Sequence, residues 1–256
     1  MEASLKTDIE IKIDKTVEWL REKVKETNCK GLAVGVSGGI DSAVVAYLIK
    51  KAFPDNSIGV IMEINSNPQD KEDALKVING CQIKHIELDL TEQQVGILDK
   101  VIGQLQSIDV YNENNKTISD ANLRARVRMS TIYTVANNLN YLVVGTDNAA
   151  EVYTGYFTKY GDGGVDLIPI ANITKAEVYE WAKVLGVHED IINKAPSAGL
   201  WEGQTDEQEM GTTYKMIDAV VEGRLDEVPQ KDLEIIERLH RISAHKRAVA
   251  PAPPKF

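Results

Sequence analysis

The stretch Gly35-Val36-Ser37-Gly38-Gly39-Ile40-Asp41-Ser42 lies between two apolar runs, Leu32-Ala33-Val34 before it and Ala43-Val44-Val45-Ala46-Tyr47-Leu48-Ile49 after it. The first run has the length of a buried strand, the second that of a helix. A strand, a glycine turn and a helix N-terminus together form an anion cradle, because free backbone N–H groups and the positive end of the helix dipole converge there. Glycines let the main chain come close to phosphate oxygens. The cradle also carries Asp41, whose charge repels a bare phosphate unless a cation lies between them. The stretch therefore implies a polyphosphate together with Mg²⁺. A glycine turn without a ligand is the plain alternative.

Two familiar phosphate loops are excluded. Gly-x-x-x-x-Gly-Lys-Ser/Thr fails because Ile40-Asp41 stands where Gly-Lys is needed, and the spacing is not Gly-x-Gly-x-x-Gly. The stretch instead resembles the Ser-Gly-Gly-x-Asp-Ser pyrophosphate loop (PP-loop) of the ATP pyrophosphatases, which cleave ATP to AMP and pyrophosphate.

Composition narrows the class. The 256 residues carry a net charge of −10, with 43% hydrophobic and 27% charged residues, as in ordinary soluble globular proteins. An acidic chain is a poor general binder of nucleic acids or membrane surfaces, so the expectation is neither partner. An anionic nucleotide must then be met by individually placed Lys and Arg. Cys29 and Cys81 fit no metal or Cys-x-x-Cys pattern and read as reduced thiols. No signal peptide opens the chain, and no apolar run approaches the ~20 residues that span a bilayer. The expected location is the cytoplasm.

Outward from the loop, strands and helices alternate. Strands are expected at 32–36, 58–64, 83–90 and 141–144, with a short one at 166–170. Such alternation predicts an α/β fold, a Rossmann-like, doubly wound parallel sheet in one domain spanning 1–256. Ile9, Ile13, Val17, Leu20 and Val24 share a face of an N-terminal helix, which must pack on the sheet or on a partner subunit. A helix capped by Ser119 or Asp120 runs to about residue 138, with a buried stripe of Ala125, Met129, Ile132, Ala136 and Leu139. Arg124 and Arg128 flank that stripe on one side and Arg126 on the other. They cannot all serve one site, and solvated charges are the reading for two of the three.

Ligands in open parallel sheets sit at the carboxyl ends of strands, so the opening loop and Gly145-Thr146-Asp147-Asn148 should converge. Glu151 follows closely enough to supply a second metal carboxylate; otherwise it is a surface acid. The glycine- and aromatic-rich 153–165 segment has the texture of a site lining. Thr174 can cap a helix beginning at Lys175, whose charge opposes the helix dipole. A bound phosphate would repair that conflict; a tolerated exposed lysine is the alternative. Residues 195–211 read as a mobile lid or a connector, and 208–221 and 228–243 as helices. The tail from 245 to 256 is extended and basic at its start. His85, His188 and His240 have no triad or metal spacing and read as structural.

With these residues in hand, the chain resembles the ammonia-dependent NAD synthetases over nearly its whole length. The resemblance is carried by Ser37–Ser42, Arg124-Ala125-Arg126, Gly145-Thr146-Asp147-Asn148-Ala149-Ala150-Glu151 and Gly155-Tyr156-Phe157-Thr158-Lys159-Tyr160-Gly161-Asp162-Gly163. Asp166, Leu185-Gly186, Pro196-Ser197-Ala198 and His245-Lys246 continue it. It implies that Gly35, Val36, Ser37, Gly38, Gly39, Ile40, Asp41 and Ser42 hold the ATP phosphates, with Asp41 and Glu151 on Mg²⁺. Thr146, Lys175 and Ser197 would also contact ATP. Arg126, Lys159, Asp166, His245 and Lys246, with Asn122 assisting, would contact deamido-NAD. Asp41, Lys159, Asp166 and Lys175 would carry the catalysis. The implied reaction amidates deamido-NAD with ammonia through an acyl adenylate, releasing AMP and pyrophosphate, in a homodimer with substrate crossing the interface. The N-terminal helix is a candidate contact.

Two departures stand out. Ser197 replaces a frequent Thr and keeps its hydroxyl. The 62–67 stretch lacks the usual Arg and Pro-Tyr-Gly-type loop, leaving Gln69 and Asp70 to fit adenine or ribose. The rivals are a GMP-forming or tRNA-thiolating pyrophosphatase and a non-catalytic nucleotide sensor. The thiolating enzyme wants a reactive Cys pair, and the sensor would leave Glu151 and the Lys159–Asp166 segment without purpose.

Overall fold

The computed structural model describes residues 6–195 and 205–255. Its strands are β1 (Gly31–Gly35), β2 (Ser57–Glu63), β3 (Lys84–Asp89) and β4 (Tyr141–Val144). All pair in parallel in the order β3-β2-β1-β4, with Leu32 opposite Ser57 on one side and Leu142 on the other. The chain lays β2 and β3 to one side of β1 and then returns to place β4 on the other. The strand order therefore reverses between β1 and β4, and the crevice at their carboxyl ends is where such sheets bind ligands.

The helices are α1 (Asp8–Thr27), α2 (Ile40–Ala52), α3 (Pro68–Cys81), α4 (Thr91–Ser107), α5 (Lys116–Leu139), α6 (Ala149–Thr154), α7 (Lys175–Leu185), α8 (Glu189–Ile192), α9 (Asp206–Met210), α10 (Tyr214–Val221) and α11 (Gln230–Ile242). One sheet face lies under α1, α2, α3 and α7, whose Leu20, Leu48, Ile49 and Trp181 are fully buried. On the other face Ile132 and Ala136 of α5 pack on Ala33, Val60 and Val143. A smaller cluster, including Ala150, Met210, Ile217 and Ile236, ties α6, α9, α10 and α11 together. Among the described residues no helix is long and apolar enough to cross a membrane.

The N-terminal periodicity holds: Ile13, Val17, Leu20 and Val24 are buried. They pack within the chain, against α2 and α7, so the apolar face of α1 is not left over for a partner.

Other expectations need correction. Residues 166–170 form no strand, only a bridge between Leu167 and Val144. The Asp166 carboxylate accepts the Val143 N–H at 2.8 Å, the donor that a paired strand's carbonyl would have used. Helix α5 starts at Lys116, earlier than expected, because Asn112 accepts the Asn114 N–H and winds a 3₁₀ turn directly into it. Asp120 lies inside the helix, bonded to Gln94 and Arg124, both at 2.6 Å. The helix expected at 208–221 is two helices, split where Gly211 turns left-handed (φ 75°) and Thr213 caps α10. Of the segment read as a lid, 196–204 lies outside the described residues; Thr205 leads directly into α9.

The conflict expected at the head of α7 is resolved inside the chain. The buried Asp218 of α10 accepts the N–H groups of Lys175 and Ala176, each at 3.1 Å. A carboxylate, not a phosphate, meets this helix end. Asp218→Ala should strand two buried donors, cost about 2–3 kcal/mol and lower the melting temperature by roughly 5–10 °C. A thermal melt checks this, and an unchanged midpoint would refute the clamp.

Candidate active site

The loop leaving β1 is braced by its own hydroxyls. Ser42 Oγ accepts the Ser37 N–H at 3.2 Å and donates to the Gly39 carbonyl at 2.9 Å. Gly38 adopts φ +80°, and a Cβ there would lie 2.7 Å from the Asp70 carbonyl oxygen and 2.8 Å from Asp73 Cβ. Only glycine fits. Because Gly39 is the N-cap residue, no side chain caps the first amides of α2. That is the arrangement an anion-binding helix end requires.

Asp41, in the first turn of α2, is met from the neighbouring strand end and from α7. Asn148 Nδ2 donates to its Oδ1 at 2.9 Å, and Lys175 Nζ to its Oδ2 at 2.6 Å. Asn148 also caps α6, accepting the Ala150 and Glu151 N–H groups, while Glu151 Oε2 accepts the Asn148 N–H at 3.0 Å. Glu151 Oε1 then lies 3.7 Å from Lys175 Nζ. The carboxyl ends of β1 and β4 do converge. The structure rejects the exposed-lysine reading, since Lys175 is only 3% exposed.

Charge explains the arrangement. Burial works against the Lys175 ammonium, but Asp41 and Glu151 outweigh it and hold the group charged. Burial, followed by the Asp41 charge, pushes Glu151 up to about 8. The lysine ammonium is thus a stand-in cation between two hard oxygen donors. Mg²⁺ is characteristically held by one or two carboxylates with phosphates and water completing its shell, so the residues present fit that ion.

A second cluster gathers the expected acceptor-binding residues. Lys246 Nζ donates to the carbonyls of Gly155, at 2.7 Å, and Phe157. Lys159 Nζ donates to the His245 carbonyl, and Arg126 Nη2 to the Lys159 carbonyl at 3.3 Å. Asn122 Oδ1 accepts the Thr158 hydroxyl at 2.8 Å. Asp166 stands apart from these contacts, its second oxygen accepting the Tyr133 hydroxyl at 2.9 Å. Thr146 is half-buried at the end of β4, and Ser197 lies outside the described residues.

Reading the sequence missed two acids between the clusters. Asp147 is 6% exposed, and burial, then Asp162, then Glu151, raise its pKa well above the carboxylate range. Asp162 is an exposed residue, but partial desolvation of its carboxyl raises its pKa too, and that carboxyl accepts the Thr158 N–H at 2.9 Å. Both residues stand inside motifs quoted above; burial distinguishes Asp147, while Asp162 stays exposed. Gln69 and Asp70, expected to face adenine or ribose, are engaged by Asp73 and Lys194 at 2.9 and 2.8 Å. Of the three arginines of α5, only Arg126 is exposed. Arg128 donates to the Met62 carbonyl at 3.0 Å and to Ser66, and burial depresses its pKa, so the solvated reading fails for it. Arg124 is ion-paired and largely covered, so it fails there too.

Folding carries Glu151 from the ordinary 4.5 up to about 8, so between those values the native protein binds more protons than the unfolded chain. Stability should therefore fall as pH rises from about 5 to 8, with Asp147 and Asp162 acting in the same direction. Glu151→Gln should flatten the fall, as melting temperatures measured across that range would show; an unaltered slope would contradict it.

The geometry agrees with four likenesses. The family model described as NAD synthase matches residues 12–250. The "NH(3)-dependent NAD(+) synthetase" of Alkaliphilus oremlandii is 61% identical over 246 residues, covering 96% of this chain and 98% of that one. Among solved structures, an NMN synthetase from Francisella tularensis superposes with a TM-score of 0.87 at 38% identity, covering 97% of this chain and 99% of its own. An NH3-dependent NAD synthetase from Campylobacter jejuni gives 0.77 at 30%, covering 97% and 100%. Agreement over this length in sequence and fold leaves one conclusion: the chain belongs to the NAD synthase family.

Proposed function

We propose that this chain, acting as one cytoplasmic catalytic domain, amidates deamido-NAD with free ammonia and ATP, the final step of NAD formation. The observation that carries the reading is the meeting of the 35–42 loop, Asp41, Glu151 and Lys175 at one buried cation position beside the 155–166 segment.

A carboxylate is a poor electrophile at neutral pH, so it must first acquire a leaving group. A nicotinate carboxylate oxygen bonds to the α-phosphorus of ATP, and the bond to pyrophosphate breaks. Ammonia then bonds to the acyl carbon and loses a proton as AMP departs with the electron pair of the broken C–O bond. The main-chain N–H groups of 35–42 and the Lys175 ammonium stabilise charge growing on pyrophosphate. Asp41 and Glu151 would hold Mg²⁺, which supplies further neutralisation of the phosphates. Thr146 and Ser197 are the remaining ATP contacts. Asn122, Arg126, His245 and Lys246 bind the dinucleotide, while Lys159 and Asp166 orient its nicotinate end.

A second acceptor has one observation in its favour. The F. tularensis NMN synthetase superposes better than the C. jejuni NAD synthetase, with TM-scores of 0.87 and 0.77. A mononucleotide would use the same nicotinate end without the adenylate half.

The homodimer finds support on the other side of the sheet. Helix α4 buries only Gln94 and exposes Ile97 (45%) and Val101 (50%), beside Ile118 (53%) of α5. A groove of about 270 Å³ runs between α4 and α5, with Arg126 on its rim. A second copy covering this face would bring its own surface to Arg126, as a substrate that crosses the interface requires.

Purified protein given ATP, Mg²⁺ and ammonium should form AMP in step with NAD from deamido-NAD, at a higher kcat/KM than with nicotinate mononucleotide. The reverse preference would favour the second reading, and no AMP with either acceptor would refute both. Asp41→Asn should lower turnover by about 10²-fold or more. In sedimentation the chain should run as a dimer and Val101→Glu as a monomer; a monomeric parent chain would overturn the dimer.

A further inference from the structure

Glu151 sits on α6, a helix of six residues, yet both its carboxylate oxygens are fixed. The Asn148 N–H holds Oε2. At Oε1 the partner comes from the far end of the chain: Tyr214 Oη, at 2.9 Å. Tyr214 heads α10 and is 5% exposed, and its ring lies 4.6 Å from Lys175 Nζ. Its hydroxyl is also 2.9 Å from Asp206 Oδ2 of α9. Asp206 in turn is reached by the Tyr156 hydroxyl at 3.3 Å, and Tyr156 by Glu209 at 2.7 Å.

We propose that Tyr214 is a positioning residue for the cation site, its hydroxyl holding Glu151 Oε1 toward Asp41 while its ring steadies Lys175. This rests on the reading of Glu151 as a metal carboxylate. A glutamate has three side-chain torsions, and an anchor at one oxygen leaves the other free to swing. The phenol provides the second anchor from a rigid, buried ring in the cluster shared by α6 and α10. It has one proton and two carboxylate neighbours, so it can donate to Glu151 or to Asp206 but not to both at once. The hold on Glu151 is thereby coupled to α9. Residues that orient a metal ligand in this way commonly change metal affinity about 10–100-fold when altered.

The test measures Mn²⁺ binding by electron paramagnetic resonance, with ATP present and deamido-NAD absent, so that nothing turns over. Tyr214→Phe keeps the ring and should weaken Mn²⁺ binding about 10-fold or more. Half-saturating Mg²⁺ in turnover should rise in parallel while the KM for deamido-NAD holds, a split that a general loosening of the fold would not produce. Tyr156→Phe, on the far side of Asp206, should leave Mn²⁺ affinity within about two-fold. Parent affinity in Tyr214→Phe, or an equal loss in both variants, overturns the proposal. Glu151→Gln separates the levels: if it binds Mn²⁺ like the parent, the metal reading itself falls; if it loses affinity while Tyr214→Phe does not, only the positioning role falls. Should Tyr214→Phe fail to fold, Asp206→Asn serves. It replaces the competing carboxylate with a weaker, neutral acceptor and so favours donation of the phenol proton to Glu151; affinity should match or exceed the parent's, and a tenfold loss would overturn the proposal.

Discussion

The structure turns on one ammonium group in a place where water cannot serve it. Lys175 lies against Asp41 in the first turn of α2 and beside Glu151 of α6. Two carboxyl groups brought so close in a buried site take up a proton or gather a positive charge, and here Lys175 supplies the charge while Glu151 is pushed up to about 8. Each element of the trio therefore requires the other two. This mutual requirement holds α2, α6 and α7 in register around the crevice, and breaking a buried pair of this kind by removing one partner commonly costs about 3–5 kcal/mol.

Around that group the crevice divides into two halves of different chemistry. Main-chain amides and small hydroxyls line the half beside α2, a surface that offers shape and hydrogen-bond donors rather than long side chains. The half beside the 155–163 turn is built from longer polar side chains that grip the main chain of their own neighbours. Lys246, Lys159 and Arg126 all donate to backbone carbonyls there, so the tail and α5 are fastened onto the turn. The buried Asp147 and the exposed Asp162 lie between the halves, and the charges of Asp162 and Glu151 help to raise the Asp147 pKa, which marks the junction as electronegative. A positively charged or strongly polarised group is what such a junction favours.

Much of this was legible from residues alone because local rules govern it. Three glycines before Asp41, a strand-length run before them and a helix-length run after them determine the cradle whatever the rest of the chain does. The face of α1 follows from spacing alone. Elsewhere the outcome depends on partners distant in the chain, and local reading fails there. Nothing beside Lys175 announces that Asp218 will cap its helix, or that Tyr214 will meet Glu151. Asp166 looks like part of a strand until its own side chain takes the donor that pairing would need. Arg128 passes for a surface charge because its acceptor, the Met62 carbonyl, lies on β2, far from it in the chain.

The sheet is clothed unevenly, with α1, α2, α3 and α7 over one face and chiefly α5 over the other, where α4 leaves apolar side chains bare. A second copy closing that face, as proposed above, would make the folded state subject to mass action. When a second copy closes it, each chain stabilises the other by an amount set by how many chains are present, and dilution withdraws that stabilisation. The melting point of such a protein is then a property of the solution as much as of the molecule.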